Sequence, residues 1–228
     1  MNYLNIIENG IFIKRINRFI AEVEINGNIE KVHVKNTGRC KELFIAGRKV
    51  YLQRSDNPLR KTKYSIISIY KEDKLINIDS QVPNTVVYES LLDGLVDEFT
   101  DIYKLSREKT YKNSRFDLYY KRENGREGFI EVKGVTLEDN GRTMFPDAPT
   151  VRGTKHIYEM IDAVKNGYEG NIFFLIQMEE AKEFKANEET DKNFANALAE
   201  AKSKGVKILV YTSIVTKDSI VINKRVCF

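Results

Sequence analysis

Along the first eighty or so residues the apolar positions favour strands. Ile11 to Ile16 forms one apolar run, and Phe19, Ala21, Val23 and Ile25 alternate with polar residues, the pattern of a half-buried strand. Asn26-Gly27 follows, and both residues tolerate positive φ, which predicts a hairpin with Ile29 to Val34 as the return strand. Val50–Gln53, Tyr64–Tyr70 and Leu75–Ile78 are further strand-like runs, the last two joined by a short Glu-Asp-Lys turn. Strands in this number with no clear helix predict a small β-barrel of the OB type.

Beyond Gln81-Val82-Pro83 the periodicity changes. Asn84 is placed to cap a helix on which Val87, Leu91, Leu95 and Phe99 recur every four residues. Ile102–Arg107, Arg115–Tyr120 and Phe129–Lys133 read as strands, and residues 134–149 as a loop rich in Gly, Asp and Pro. Thr150 caps the next helix, with an apolar stripe of Ile157, Met160, Ile161 and Val164. Ile172–Met178 is a buried strand, 190–204 an amphipathic helix and Val206–Tyr211 a last strand. The expected organisation is therefore an OB-like β-barrel over 1–82 and an α/β domain with a mixed central sheet over 83–228.

Composition narrows the class. With 42% hydrophobic and 31% charged residues, the chain has enough apolar material for a packed core and too much for disorder. No apolar run is long enough to span a bilayer, no signal peptide is visible, and two cysteines rule against a disulfide scaffold. The expected setting is cytoplasmic, with no membrane partner. The net charge of +4 is unevenly placed: residues 1–82 carry fifteen basic against nine acidic side chains. Arg48, Lys49, Arg54, Arg60, Lys61 and Lys63 crowd one stretch, and Lys104, Arg107, Lys109, Lys112 and Arg115 another. Clustered positive charge suits a polyanion.

The candidate chemistry lies in Ser114-Arg115-Phe116-Asp117 and Phe129-Ile130-Glu131-Val132-Lys133. Glu131 and Lys133 are two apart on a strand and share a face. Asp117 sits on the preceding strand, so two carboxylates and an ammonium converge at the end of a core sheet. Charges buried there need a partner such as a metal. Asp117 and Glu131 offer hard oxygens for Mg²⁺ or Mn²⁺, and the carbonyl of Val132 a third. Lys133 is placed to orient water or stabilise charge at phosphorus. This resembles the PD-(D/E)xK nuclease arrangement, in which a helix acid often joins the metal; Glu89 is the candidate here, set against an ordinary exposed helical Glu. The triplet E-x-K occurs five times, so its position between an Asp-bearing strand and a helix carries the argument. Arg152, Lys155 and His156 recur at i, i+3 and i+4 near a helix N-terminus, a spacing that suits phosphate.

Taken in order, Asn36-Thr37-Gly38-Arg39, Ser55-Asp56-Asn57, Ser114-Arg115-Phe116-Asp117, Glu131-Val132-Lys133-Gly134-Val135-Thr136-Leu137, Phe145-Pro146-Asp147-Ala148 and Arg152-Gly153-Thr154-Lys155-His156 resemble the sugar fermentation stimulation protein (SfsA) family. The motifs span nearly the whole chain. The resemblance implies a prokaryotic DNA-binding protein with an OB-like and a nuclease-like domain. It implies that Asp117, Glu131 and Lys133 occupy the nuclease-type site. It makes Asn36, Thr37, Gly38 and Arg39 a functional loop, with Arg152, Lys155 and His156 in the same cleft. Val151 departs from the family, which commonly has an acid there.

Two functions compete. One is a Mg²⁺- or Mn²⁺-dependent nuclease. The other is a non-catalytic, non-specific DNA-binding regulator of sugar-metabolism genes. In both, DNA meets basic and polar residues: Arg15, Arg18, Asn36, Thr37, Gly38, Arg39, Arg54, Arg60, Lys61, Lys63, Arg115, Arg152, Lys155 and His156. No helix-turn-helix is visible, so contact through the phosphate backbone is expected. A carbohydrate-binding reading has no residue-level support, since Trp is absent.

Overall fold

Asn26 and Gly27 take positive φ, 51° and 78°, and turn the chain between β2 (Ile20–Ile25) and β3 (Asn28–Val34). The computed structural model describes residues 1–36 and 38–228; Thr37, expected in the functional loop, lies outside them. β2 also pairs with β1 (Ile7–Arg15), which pairs on its other edge with β4 (Lys49–Arg54). β4 pairs with β5 (Tyr64–Lys71), and the parallel contact of β5 with β3 at His33–Ser65 and Val34–Ile66 closes the barrel. Strand order β1-β2-β3-β5-β4-β1, with that one parallel junction, is the five-stranded OB barrel. β6 (Lys74–Asn77) is added to β5. Alternation holds: Ala21, Val23 and Ile25 point inward onto Phe12, Val50 and Leu52.

The helix after the barrel, α1 (Val82–Leu92), begins earlier than expected. Its N-cap is Gln81 without a side-chain bond, and Pro83 occupies the first turn, where no amide hydrogen is needed. Asn84 is therefore inside the helix and caps nothing. The four-residue spacing does not continue to Phe99. Gly94, at φ 67°, ends the helix, Leu95 is exposed, and Phe99 lies on a separate 3₁₀ turn, Asp97–Phe99.

The second sheet has six strands in the order β15-β14-β12-β9-β8-β7. These are β7 (Ile102–Tyr111), β8 (Ser114–Arg122), β9 (Glu127–Val135), β12 (Glu169–Ile176), β14 (Lys207–Val215) and β15 (Ile220–Arg225). β9, β12 and β14 run parallel and the outer pairings are antiparallel, so the sheet is mixed, as expected. Parity along the strands separates two cores. Phe129, Ile172, Phe174 and Val210 face α2 (Val151–Lys165) and α3 (Lys192–Ser203). Ile130, Val132, Phe173, Leu175 and Leu209 face α1.

Short elements in the expected loop escaped the sequence pattern. β10 (Leu137–Asp139) and β11 (Arg142–Phe145) form a hairpin, and β13 (Glu183–Ala186) adds to β11. β15 was also missed. The barrel and the second sheet share packing: each apolar cluster holds residues from both. The first residues tie to both: the Tyr3 hydroxyl accepts from Asn77 Nδ2 of β6 at 2.9 Å, while their backbone bonds to the second sheet. Asn2 bridges Ser219, and the Tyr3 amide donates to the Asp218 carbonyl at 2.8 Å. No helix among the described residues is long and apolar enough to cross a membrane.

Candidate active site

The ladder between β8 and β9 runs from Lys121–Glu127 to Leu118–Ile130 and stops one pair before Asp117. Where the next backbone pair would lie, the amide of Val132 donates to Asp117 Oδ2 at 2.8 Å. Asn84 on α1 donates to Oδ1 at 2.7 Å. On the other edge of β8, the partners of Asp117's neighbours are Arg107 and Lys109. Between them Glu108 takes a φ of 54°, so the backbone facing Asp117 is in the left-handed region. The strand is thus distorted where its acid sits.

Glu131 lies in the middle of β9, 3% exposed, facing α2. Its Oε1 accepts from Lys133 Nζ at 2.6 Å and lies 2.5 Å from His156 Nδ1. Lys133 reaches it because residues two apart on a strand share a face. His156 reaches it because it is on the buried stripe of α2, a helix capped as expected by Thr150 Oγ1 accepting from the Gly153 amide. Glu131 Oε2 is buried without a hydrogen-bond partner.

The two acids are pushed apart electrostatically. Burial raises the pKa of the Asp117 carboxyl, the nearby Glu131 charge adds to this, and the Val132 amide, Lys133 and Asn84 only partly offset it. For Glu131, burial acts in the same direction, but Lys133 and His156 outweigh it and the net shift is downward. One carboxylate is held ionised, and its neighbour takes a proton more readily than an ordinary Asp.

The other expected residues divide. Glu89 does not join the acids. Five residues after Asn84 on α1, it lies about 140° further round the helix, and its carboxylate pairs with the Met1 ammonium at 2.9 Å. Arg15 is engaged by protein: its guanidinium donates to the carbonyls of Arg18, Asn36, Gly38 and Arg39 and so holds those residues in place. Asn36 is buried and its Oδ1 accepts from the Gly38 amide at 2.7 Å. The Arg39 amide donates to Asp147 Oδ2 at 3.0 Å, joining the loop to the second half. Arg60 is tied to Ser65 Oγ at 3.0 Å on the barrel wall, while Arg18, Arg54, Lys61 and Lys63 are exposed. Arg115 is exposed, 3.4 Å from Glu108; Lys155 lies 3.7 Å from Glu159; Arg152 is exposed on the first turn of α2. Of that helical trio, only His156 touches the acids.

Asn84 was missed as a site residue because an Asn near a helix start reads as a cap. No signal pointed to Gln177, which is buried beside Gly134 and donates to Asn77 Oδ1 at 2.9 Å.

The donor set bears on a metal. Among the described residues no group of three or more His, Cys, Asp or Glu side chains is placed to hold one. Two carboxylates are available, and the bare, buried Glu131 Oε2 is the oxygen a hard cation would satisfy. The set fits such an ion if backbone oxygen or water completes it.

Comparison with known proteins covers nearly the whole chain. Residues 13–78 match the model of the SfsA N-terminal OB domain, and residues 81–219 match that of the sugar fermentation stimulation protein RE domain. A sugar fermentation stimulation protein homolog of Alkaliphilus oremlandii is 52% identical, across 99% of this chain and 97% of its own. One from Clostridium botulinum (strain Langeland) is 53% identical over 94% of each. A solved structure of Pyrococcus furiosus SfsA in complex with Ca²⁺ is 28% identical, has a TM-score of 0.88 and covers 99% of this chain and 98% of that one.

Proposed function

The chain belongs to the SfsA family, and on that footing we propose that it binds DNA and hydrolyses phosphodiester bonds at Asp117 and Glu131 with a divalent cation. The observation that carries this reading is the Glu131 carboxylate: buried, held on one oxygen by Lys133 and His156, bare on the other, and next to a second acid where the β8–β9 ladder stops. Such a group costs stability unless a cation completes it. The relative solved with Ca²⁺ supports a hard, oxygen-seeking ion, and the OB domain supports a nucleic-acid partner.

Asp117, Glu131 and the carbonyl of Val132 are the residues that would hold Mg²⁺ or Mn²⁺. The ion supplies the Lewis acidity that polarises phosphate and acidifies water. The chain's own groups do the rest. Asn84 and the Val132 amide fix the orientation of Asp117. His156 fixes Glu131 from the α2 side. Lys133 brings an ammonium to the acids, where it stabilises the negative charge that grows on phosphate in the transition state. Glu89 has no part in this scheme. DNA lies along Arg115, Arg152 and Lys155 and the exposed barrel cations, through its phosphates. Its affinity is therefore expected to fall steeply with salt, and Lys63→Ala to reduce the slope of log K against log salt by about one. An unchanged slope would remove Lys63 from the interface.

The test is cleavage of labelled DNA in Mg²⁺, Mn²⁺ or EDTA by the native chain and by Glu131→Gln. Cleavage that needs metal and Glu131 supports the reading. Cleavage that survives the substitution overturns it. Binding without cleavage in any metal leaves the second reading, a non-catalytic DNA-binding regulator. That reading is favoured by the exposed barrel cations Arg54, Lys61 and Lys63, which meet phosphate without any metal.

A further inference from the structure

Where the barrel meets the second sheet lies a cleft of about 300 Å³. Its walls include Asn36 and Gly38 from the barrel loop, Gly134 and Thr136 from the segment after Glu131, and Asp147 and Gln177. It continues into a shallower groove that shares Arg18, Gly38 and Ala148 and adds Arg39 and Lys41.

The walls are fixed. Arg15 holds the carbonyls of the loop, the Arg39 amide binds Asp147, and Ser80 Oγ donates to the Lys35 carbonyl at 2.7 Å. Gln177 Nε2 is anchored on Asn77 Oδ1 and the Asp79 carbonyl, which leaves Oε1 over Gly134. A Cβ on Gly134 would strike Gln177, and one on Gly38 would strike Asp147. Both glycines therefore keep the cleft narrow and its two polar walls in place.

Arg18 stands where cleft and groove meet and lines both. The rest of the cleft is a carboxylate, an amide oxygen fixed by its own anchored nitrogen, and neutral hydroxyl and apolar groups. Asp147 repels a phosphate there. Acceptors of this kind suit the exocyclic amines of nucleobases. The cations Arg39 and Lys41 are exposed on the groove outside, where phosphates would lie. The volume is at the low end for small-molecule pockets, roughly 300–1,000 Å³, so it admits one nucleotide-sized group and no stacked pair. Gly134 is three residues beyond Glu131 on β9, about 10 Å along the strand.

We propose that this cleft receives an unpaired base, with its backbone across Arg39 and Lys41, so that the acid site works on a single strand and not on intact duplex. The inference rests on the DNA reading above.

The test is binding in EDTA, which removes catalysis, of labelled single-stranded and blunt duplex DNA of equal length. The native chain is expected to hold the single strand at least about tenfold more tightly, the scale of one well-seated base. Ser80 is exposed on the rim, and Ser80→Trp, filling the mouth, is expected to remove that preference and leave duplex binding unchanged. Ala148→Phe is the second plug, and thermal melting verifies that each variant folds. Equal or tighter binding of duplex by the native chain overturns the inference, as does a folded plug that keeps the preference. Binding of neither DNA overturns the DNA reading together with it. A single-strand preference without cleavage in any metal leaves the cleft assignment standing and removes only the nuclease.

Discussion

Glu131 and Glu138 are seven residues apart, both nearly fully buried and both held by two nitrogen-bearing side chains, yet they differ in what is left over. Glu138 Oε2 accepts from Lys71 at 2.6 Å, and Oε1 accepts from Lys74 at 2.7 Å and the Gly141 amide at 2.6 Å. Both oxygens are used. Lys71 and Lys74 come from β5 and β6 of the barrel, so the group is a finished joint between the barrel and the hairpin of β10 and β11. At Glu131 both partners sit on one oxygen, and the other has none. A buried carboxylate that is fully satisfied holds structure together; one left half-satisfied is a place where something else binds.

Activity separates the two most sharply. On the proposed cleavage reading, Glu131→Gln is expected to lower metal-dependent cleavage by about 10²- to 10³-fold while the variant stays folded, and Glu138→Gln is expected to leave the rate constant of the folded protein unchanged. Equal losses would erase the distinction.

Stability should show the reverse. Removing the Glu138 charge strands two partly buried ammonium groups, at a cost of about 3 kcal/mol, which in a chain of this size is a fall in Tm of roughly 6–12 °C. The acid limb of the stability curve carries the same signature. Burial alone would raise the Glu138 carboxyl, but Lys71, Lys74 and the Gly141 amide bring it down to about 2 from an ordinary 4.5. Its contribution is complete above pH 4.5 and is lost as pH falls through about 2. Glu138→Gln should flatten the curve in that window. Asp117 has the opposite sign: its pKa is raised on folding, so the stability it contributes is present at low pH and lost as pH rises through its folded value.

A smaller effect is expected from metal. Mn²⁺ at a hundred times its Kd should stabilise the native chain by about 2.7 kcal/mol, do the same for Glu138→Gln, and do nothing for Glu131→Gln in a thermal melt. Stabilisation of all three would place the ion elsewhere. The smallest is Lys74→Ala. Its ammonium is the more exposed of the two, and Lys71 remains, so denaturant unfolding should register about 1 kcal/mol. A loss as large as that of Glu138→Gln would mean the joint acts as a unit.

How much of this could be read in the sequence follows from how local each signal is. The OB barrel was legible because alternation and Asn26-Gly27 act within one hairpin. Glu131 and Lys133 were legible because residues two apart on a strand must share a face, and Asp117 because a hairpin brings its strand alongside. Glu89 misled because helix order is visible in a sequence while the angle round the helix depends on where α1 docks. Asn84 was read as a cap for the same reason. Glu138 gave no signal at all: its lysines are 64 and 67 residues away, and β10 and β11 are too short to show a period. Arg15 counted as surface charge, although its guanidinium is engaged by the backbone of its own domain.

The bridge from Asn2 to Ser219 and the bond from Tyr3 to Asp218 close a loop of more than two hundred residues. On a ribosome, the barrel has all its strands once Asn77 has emerged, and the Tyr3 hydroxyl has its partner there, but the backbone groups of residues 1–3 find theirs only when the hairpin of β14 and β15 is made. The backbone of residues 1–3 is therefore among the last to be fixed, and it is joined there to a strand more than two hundred residues along the chain.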